Sequence, residues 1–313
     1  MPVVRPQSLD DFIGQEHLKP ILRKAIERAS QGQLLHNMLI SGASGLGKSS
    51  LAKSLIADLP DYEYKSIVAS KDLTPQKLRY ILLSLDITNY GPNGQWQPGA
   101  KKTLMHIEEA HQLTVGVLDS VMTSAIEDLE VSVDGVTHWL PDICYVFTTT
   151  SPNDLTVPIL SRLPLQFYLE PYTEADIVKI ILRSYPKMSE SVAQDVAKRS
   201  RGVPRLALSY SAQVELCDYS IEPLTQSGID ESGLTDLDRR YLKALESSEG
   251  NKGLSLITLS SMTREDSRVL KALVEPWLIF TGRVKITRSG RVLTSNCEHL
   301  NRNGRGSKIR TIV

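Results

Sequence analysis

The chain has little cysteine, few aromatic residues and no net charge. Its three cysteines (Cys144, Cys217 and Cys297) are scattered along 313 residues, which excludes both a disulfide framework and a zinc site. No apolar run approaches the roughly 18 residues that a membrane-spanning helix needs. The opening MPVVRPQSLDD lacks the apolar core of a secretion signal, so the expected location is cytoplasmic. Aromatics are only 6% of the chain, yet the hydrophobic (41%) and charged (23%) fractions are those of ordinary globular protein. A chain of this length can therefore pack two or three domains, each with its own core. No internal repeat is visible.

The zero net charge hides an uneven distribution. From Thr281 onward eight Lys and Arg face one acid, Glu298, giving about +7 and leaving about −7 on the first 280 residues. A basic C-terminal module on an acidic body suggests a polyanion as the partner of that module.

Residues 15–31 read as an amphipathic helix. NMLISGASGLGKSSLAKSLIADL (37–59) gives a short buried strand, a glycine-rich turn and a helix. Another helix is expected over 75–86, after Leu73-Thr74-Pro75, and the turn-rich TNYGPNGQWQPGAKK (88–102) is a surface loop. The strand TLMHI (103–107), a helix near 114–127, a hairpin VSVDGVTHWL (131–140) and a third β-rich run, ICYVFTTT (143–150), follow. Strands alternating with helices predict an α/β fold, a parallel sheet with helices on both faces. After Pro171 the pattern is helical only, through about residue 225. From Leu234 three helical segments precede RVKITRSGRVLT (283–294), and three helices with a β-hairpin describe a winged helix. The expected domains are a nucleotide-binding domain (1–168), a helical lid (169–230) and a winged helix with a basic tail (231–313).

GASGLGKS matches G-x-x-x-x-G-K-[ST] at Gly42, Gly47, Lys48 and Ser49, between a predicted strand and a predicted helix. The glycines let backbone N–H groups curl around phosphates, Lys48 reaches the β- and γ-phosphates, and Ser49 is a magnesium ligand. The helix that follows points its positive end at the same phosphates. Gly45 and Ser50 belong to the same nucleotide-binding stretch. About 60 residues on, Glu108 and Glu109 close a second buried strand. The first carboxylate supports the magnesium ion, and the second polarises the attacking water as a general base. Thr149 or Thr150, ending the third strand, is placed to hydrogen-bond that water or the γ-phosphate. Arg162 in PILSRLP is a candidate to act on a neighbouring subunit's nucleotide, and Arg205 in SRGVPRLAL a candidate to swing onto the γ-phosphate.

RPQSLDDFIGQEHLK, SGASGLGKSSLA, IEEAHQL, RGVPRLA, GLTDLDRRYLKAL and VEPWLIFTGRVKITRSGRVLT occur in this order. Together they closely resemble RuvB, the AAA+ ATPase family that migrates Holliday junctions. The resemblance runs from Arg5 to Leu300 and is patchy only between 58 and 101. It implies that Ile13, Gly14 and Tyr172 contact the adenine and that Lys48 and Ser49 are Walker A. It also makes Glu108 and Glu109 Walker B, Thr150 (or Thr149) sensor 1, Arg162 the arginine finger and Arg205 sensor 2. It further implies ATP and Mg2+ as cofactors, a homohexameric ring around double-stranded or junction DNA, and a RuvA partner. Arg283, Lys285, Arg288 and Arg291 would contact DNA phosphates from the wing, with little sequence preference.

The chain departs from that pattern at four places. Walker B has Glu108 for Asp, and His106 stands among its apolar positions. The loop 88–101 has no counterpart, and hairpin 131–142 is shorter than the insert that grips RuvA. These changes suggest a divergent branch, such as a phage or mobile-element member. They also keep open an ATPase that serves as a DNA-loaded switch or loader for another replication or recombination protein. A third reading, a scaffold that binds ATP without hydrolysing it, is opposed by the retention of Lys48, Glu109, Arg162 and Arg205.

Overall fold

The computed structural model describes residues 5–85, 101–248 and 252–294. Most of the loop 88–101 and all of the tail 301–313 lie outside the described residues. The chain divides into two compact units between Ala212 and Gln213, so the expected lid (169–230) spans the boundary between them.

The first unit is organised by β1 (Met38–Gly42), which is buried at every position. A strand with no solvated face has to lie inside a covered sheet. Lys19–Ser30 forms α1, starting at Lys19 with Pro20 in its first turn rather than at residue 15. After β1 come α2 (Lys48–Ser54), β2 (Tyr62–Val68), α3 (Pro75–Ser84) and β3 (Lys102–Glu108). Val115–Val117 (α4) and Thr123–Glu127 (α5) are joined by a π-helical turn, Leu118–Met122. The hairpin is β4 (Glu130–Val133) with β5 (Val136–Trp139), and β6 (Ile143–Thr149), α6 (Val157–Ser161) and β7 (Leu165–Leu169) follow. The five-stranded sheet runs in the order β2-β3-β6-β1-β7, all parallel. Its core joins Leu82, Ile107, Val117, Met122, Tyr145 and Phe147, all buried. Beyond the sheet are α7 (Glu174–Ser184), α8 (Glu190–Arg199) and α9 (Pro204–Leu216), the last crossing the unit boundary.

In the second unit α10 (Glu222–Gln226) precedes α11 (Asp236–Glu246), whose start is fixed by a capping box between Thr235 and Asp238. Then come α12 (Leu256–Thr263), α13 (Ser267–Val269), α14 (Glu275–Phe280) and the antiparallel pair β8 (Val284–Thr287) and β9 (Gly290–Leu293). Tyr241, Leu245, Leu259, Leu270, Leu278 and Val284 form its core. Leu254 pairs with Arg291 in an isolated antiparallel bridge, which sets a short third segment beside β9. Among the described residues no helix is long and apolar enough to cross a membrane.

Candidate functional site

In a parallel α/β sheet, ligands collect at the carboxyl ends of the strands. Here β1, β6 and β3 are neighbours, and their ends deliver Gly42, Thr149 and Glu108 to one edge. A cavity of about 640 Å3 lies there, lined by Ser44, Gly45, Gly47, Lys48, Ser49, Ser50, Glu108, Glu109 and Arg205, among others.

Lys48 is buried at the first turn of α2 and donates to the carbonyls of Gly42 and Ala43 at 2.8 and 3.0 Å. Burial pushes its pKa down and nearby Arg205 adds to that, while the charge of Glu109 opposes both. An ammonium under that stress gains by meeting a phosphate. Ser49 Oγ donates to Glu108 Oε2 at 2.8 Å, so the glutamate reaches the P-loop hydroxyl across the sheet edge.

Those two oxygens suit a hard cation. Among the described residues no group of three or more His, Cys, Asp or Glu side chains is placed to hold a metal by itself. Magnesium at nucleotide sites asks for less, one or two protein oxygens with phosphate and water completing the shell, and Ser49 with Glu108 fits that requirement.

Glu109 leaves the strand line with φ 52° and ψ 45°, a left-handed backbone uncommon for a non-glycine residue. This turn sends the second carboxylate a different way from the first. His111 Nδ1 lies 3.6 Å from Glu109 Oε2 and 3.0 Å from Thr149 Oγ1. Thr149 is buried and also accepts from the Ser151 N–H at 3.0 Å, whereas Thr150 is half-buried just beyond the strand. Beneath Glu108, His106 is fully buried. Its ring nitrogens meet the Tyr64 hydroxyl at 2.6 Å and the Thr148 hydroxyl at 2.9 Å. Burial holds the imidazole neutral, its pKa pushed down to about 4 against the pull of Glu108.

Arg205, in the first turn of α9, brings Nη1 to 3.2 Å from Ser44 Oγ and its backbone N–H to the Gly45 carbonyl. A side chain at Gly45 would strike Val203 at 2.8 Å and Arg205 at 2.9 Å, so this glycine is what lets α9 approach the P-loop. A smaller apolar pocket, about 100 Å3, shares Gly47 and Leu208 with this cavity and also includes Phe12, Ile13 and Tyr172 in its lining. Gly14 packs against the Tyr172 ring, where a Cβ would lie 2.7 Å from it. The Gln15 amide pairs with both backbone groups of Glu170, and Arg183 donates to the Asp11 carbonyl at 2.8 Å. These contacts fasten the N-terminal segment to the end of β7 and to α7.

Arg162 and the arginines and lysine of the C-terminal hairpin are not among the residues that line this cavity. Arg162 closes α6 and pairs with Glu127 of its own chain, with Nε to Oε2 at 2.9 Å. In the second unit Lys285 and Arg288 are exposed on the β8–β9 hairpin and Arg283 is half-buried beside it. Arg291 differs from them. Its guanidinium turns inward to Glu275, 3.4 Å or closer at both oxygens, and Glu275 also accepts from the Tyr241 hydroxyl at 2.8 Å.

The residue spacing missed Phe12, Tyr64, His111, Gln15 and Arg183. Phe12 and Gln15 stood within the quoted FIGQ stretch and His111 within IEEAH. Tyr64 lies on β2, a strand that carries no apolar run to announce it.

Comparison with known proteins points one way. Residues 4–89 match the family description "Holliday junction DNA helicase RuvB P-loop domain", and 231–301 match "RuvB C-terminal winged helix domain". The Holliday junction branch migration complex subunit RuvB of Synechococcus sp. is 32% identical, over 93% of this chain and 84% of that one. The same subunit from Campylobacter hominis is 28% identical, over 95% and 90%. The solved Thermotoga maritima RuvB Holliday junction branch migration motor superposes with a TM-score of 0.75 at 28% identity, covering 96% of this chain and 99% of that one.

Proposed function

Since the chain belongs to the RuvB family of Holliday-junction ATPases, we propose that it is an ATP-driven DNA motor of the branch-migration type, acting as a homohexameric ring on double-stranded or junction DNA. The convergence of Lys48, Ser49, Glu108, Glu109 and Arg205 on one cavity carries this reading. The adenine stacks by Ile13, Gly14 and Tyr172, and the phosphates lie along Gly42, Gly45, Gly47 and Ser50 with Lys48 on the β- and γ-groups. Ser49 and Glu108 hold magnesium, which when bound neutralises phosphate charge and orients the transferred group. Glu109 takes the proton of the attacking water, and Thr150 or Thr149 orients that water or the γ-phosphate. The contacts of Thr149 to His111 and Ser151 support it as the fixed member of that pair. Arg205 reaches the γ-phosphate from its own chain and Arg162 from the neighbouring subunit.

In this reading residues 1–168 bind nucleotide, 169–230 serve as lid and 231–313 grip DNA. Arg283, Lys285 and Arg288 supply phosphate contacts, while Arg291 shapes the hairpin that carries them. Hairpin 131–142 is the site for a RuvA-like partner, and Trp139, 69% exposed, with exposed Val136 supports a docking role there.

Purified protein with ATP is expected to move synthetic four-way junctions, and Lys48→Ala to abolish the movement. Intact DNA-stimulated ATPase without junction movement, with or without a RuvA-type partner, would overturn the motor in favour of a DNA-loaded switch or loader.

A further inference from the structure

The polar row beneath Glu108, in which His106 and Thr148 are buried and Tyr64 is half-buried at the edge of the cavity, has no packing reason to exist. Tyr64, His106 and Thr148 come from three adjacent strands, β2, β3 and β6, and meet on one face of the sheet. Apolar side chains at the two buried positions would fill that space without the cost of desolvating the Thr148 hydroxyl and the His106 imidazole. Leu104, two residues earlier on the same face, is apolar and buried. Directly above the row, Glu108 Oε1 lies 3.8 Å from His106 Nδ1 while Oε2 accepts from Ser49 at 2.8 Å. The carboxylate is therefore set between the P-loop hydroxyl and the imidazole.

We propose that Tyr64, His106 and Thr148 are positioning residues for Glu108, holding its longer side chain back against the sheet so that it serves the magnesium site at Ser49. Asp, one methylene shorter, would need no such restraint. Both ring nitrogens of His106 are occupied, by Tyr64 and Thr148, so the ring cannot turn away. Its plane lies tilted at 50° to Tyr64 with centroids 5.9 Å apart, which fixes it from the β2 side. The inference rests on reading Ser49 and Glu108 as the magnesium oxygens.

The test is the Mg2+ dependence of binding a fluorescent ATP analogue, measured for His106→Leu and Tyr64→Phe, each alone and with Glu108→Asp. With Glu108 present, His106→Leu is expected to raise the half-saturating Mg2+ concentration about tenfold, the usual order for loss of a residue that orients a metal ligand. Tyr64→Phe, which removes one hydroxyl and keeps the ring, shifts it the same way by less and carries the test if His106→Leu does not fold. With Glu108→Asp both shifts shrink to about twofold or less. Equal shifts in the two backgrounds would make the row merely structural and overturn the proposal, as would no shift with Glu108 present. Glu108→Ala tests the underlying reading separately: if it leaves the Mg2+ requirement unchanged, the magnesium assignment itself fails.

Discussion

Glu108 and Glu109 are adjacent in sequence, yet the backbone sends their carboxylates in different directions. Glu108 is the last residue of β3 and keeps the strand's direction, which points it at Ser49. Glu109 takes up the left-handed conformation and swings toward His111. A base that prepares water contributes about 10²–10⁴-fold, so Glu109→Gln should lose that much hydrolysis while ATP stays bound, as measured by single-turnover assays beside nucleotide retention. Glu108→Asp should keep the rate within about an order of magnitude, because magnesium tolerates exchange of a carboxylate contact for water. Arg162 poses a separate question of magnitude. Its partner Glu127 is 56% exposed, and a solvent-exposed ion pair is worth about 0–1 kcal/mol. That is too little to hold the guanidinium against a neighbouring triphosphate, so the intrachain pair is compatible with an arginine that works in trans. The P-loop residues were legible because eight consecutive positions carry their chemistry. Tyr64 and His106 were not legible as partners, since only the pairing of β2 with β3 brings residues 42 positions apart together.

At the scale of elements, the strands that sequence reading found are the three central ones, β1, β3 and β6. The two it missed, β2 and β7, are the sheet's edges. An edge strand has a solvated side, and YEYKSIV and LQFYL mix buried with exposed positions instead of forming an apolar run. The winged helix was legible as three helices and a hairpin, but the division of labour among its arginines was not. Arg288 and Arg291 look alike in the sequence, and only the fold reveals Glu275, buried and facing Arg291. Removing one partner of a buried pair costs about 3 kcal/mol or more. Arg291→Ala should therefore lower the thermal midpoint of the second unit. Lys285→Ala and Arg288→Ala should leave that midpoint unchanged, yet each should reduce the slope of log affinity for duplex DNA against log salt by about one. Calorimetry and a salt titration of DNA binding separate the two effects. An Arg291 variant that loses one unit of salt slope with an unmoved midpoint would return Arg291 to the DNA contacts.

The whole molecule raises the question of where the hydrolytic site is completed. Within one chain, Lys48, Ser49, Glu108, Glu109 and Arg205 share a cavity whose lining does not include Arg162. Arg162 instead closes α6 and engages Glu127 and the Pro158 carbonyl. If each subunit lends its arginine to the next, the contact is heterologous, and it generates a ring where the rotation between subunits closes. Two variants then fail for different reasons. Arg162→Ala keeps a complete site and cannot help its neighbour, whereas Glu109→Gln has a dead site and a working arginine. An arginine finger is worth about 10³–10⁵ in rate, so either variant alone should be nearly inactive. In an equal mixture that assembles at random, about one interface in four joins a site with intact Glu109 to a neighbour with intact Arg162, which predicts recovery of roughly a quarter of the native DNA-stimulated ATPase. The recovery should grow with total protein concentration, because it needs assembly. A mixture no more active than its components, in assemblies shown by light scattering to contain both variants, would place the action of Arg162 within its own chain.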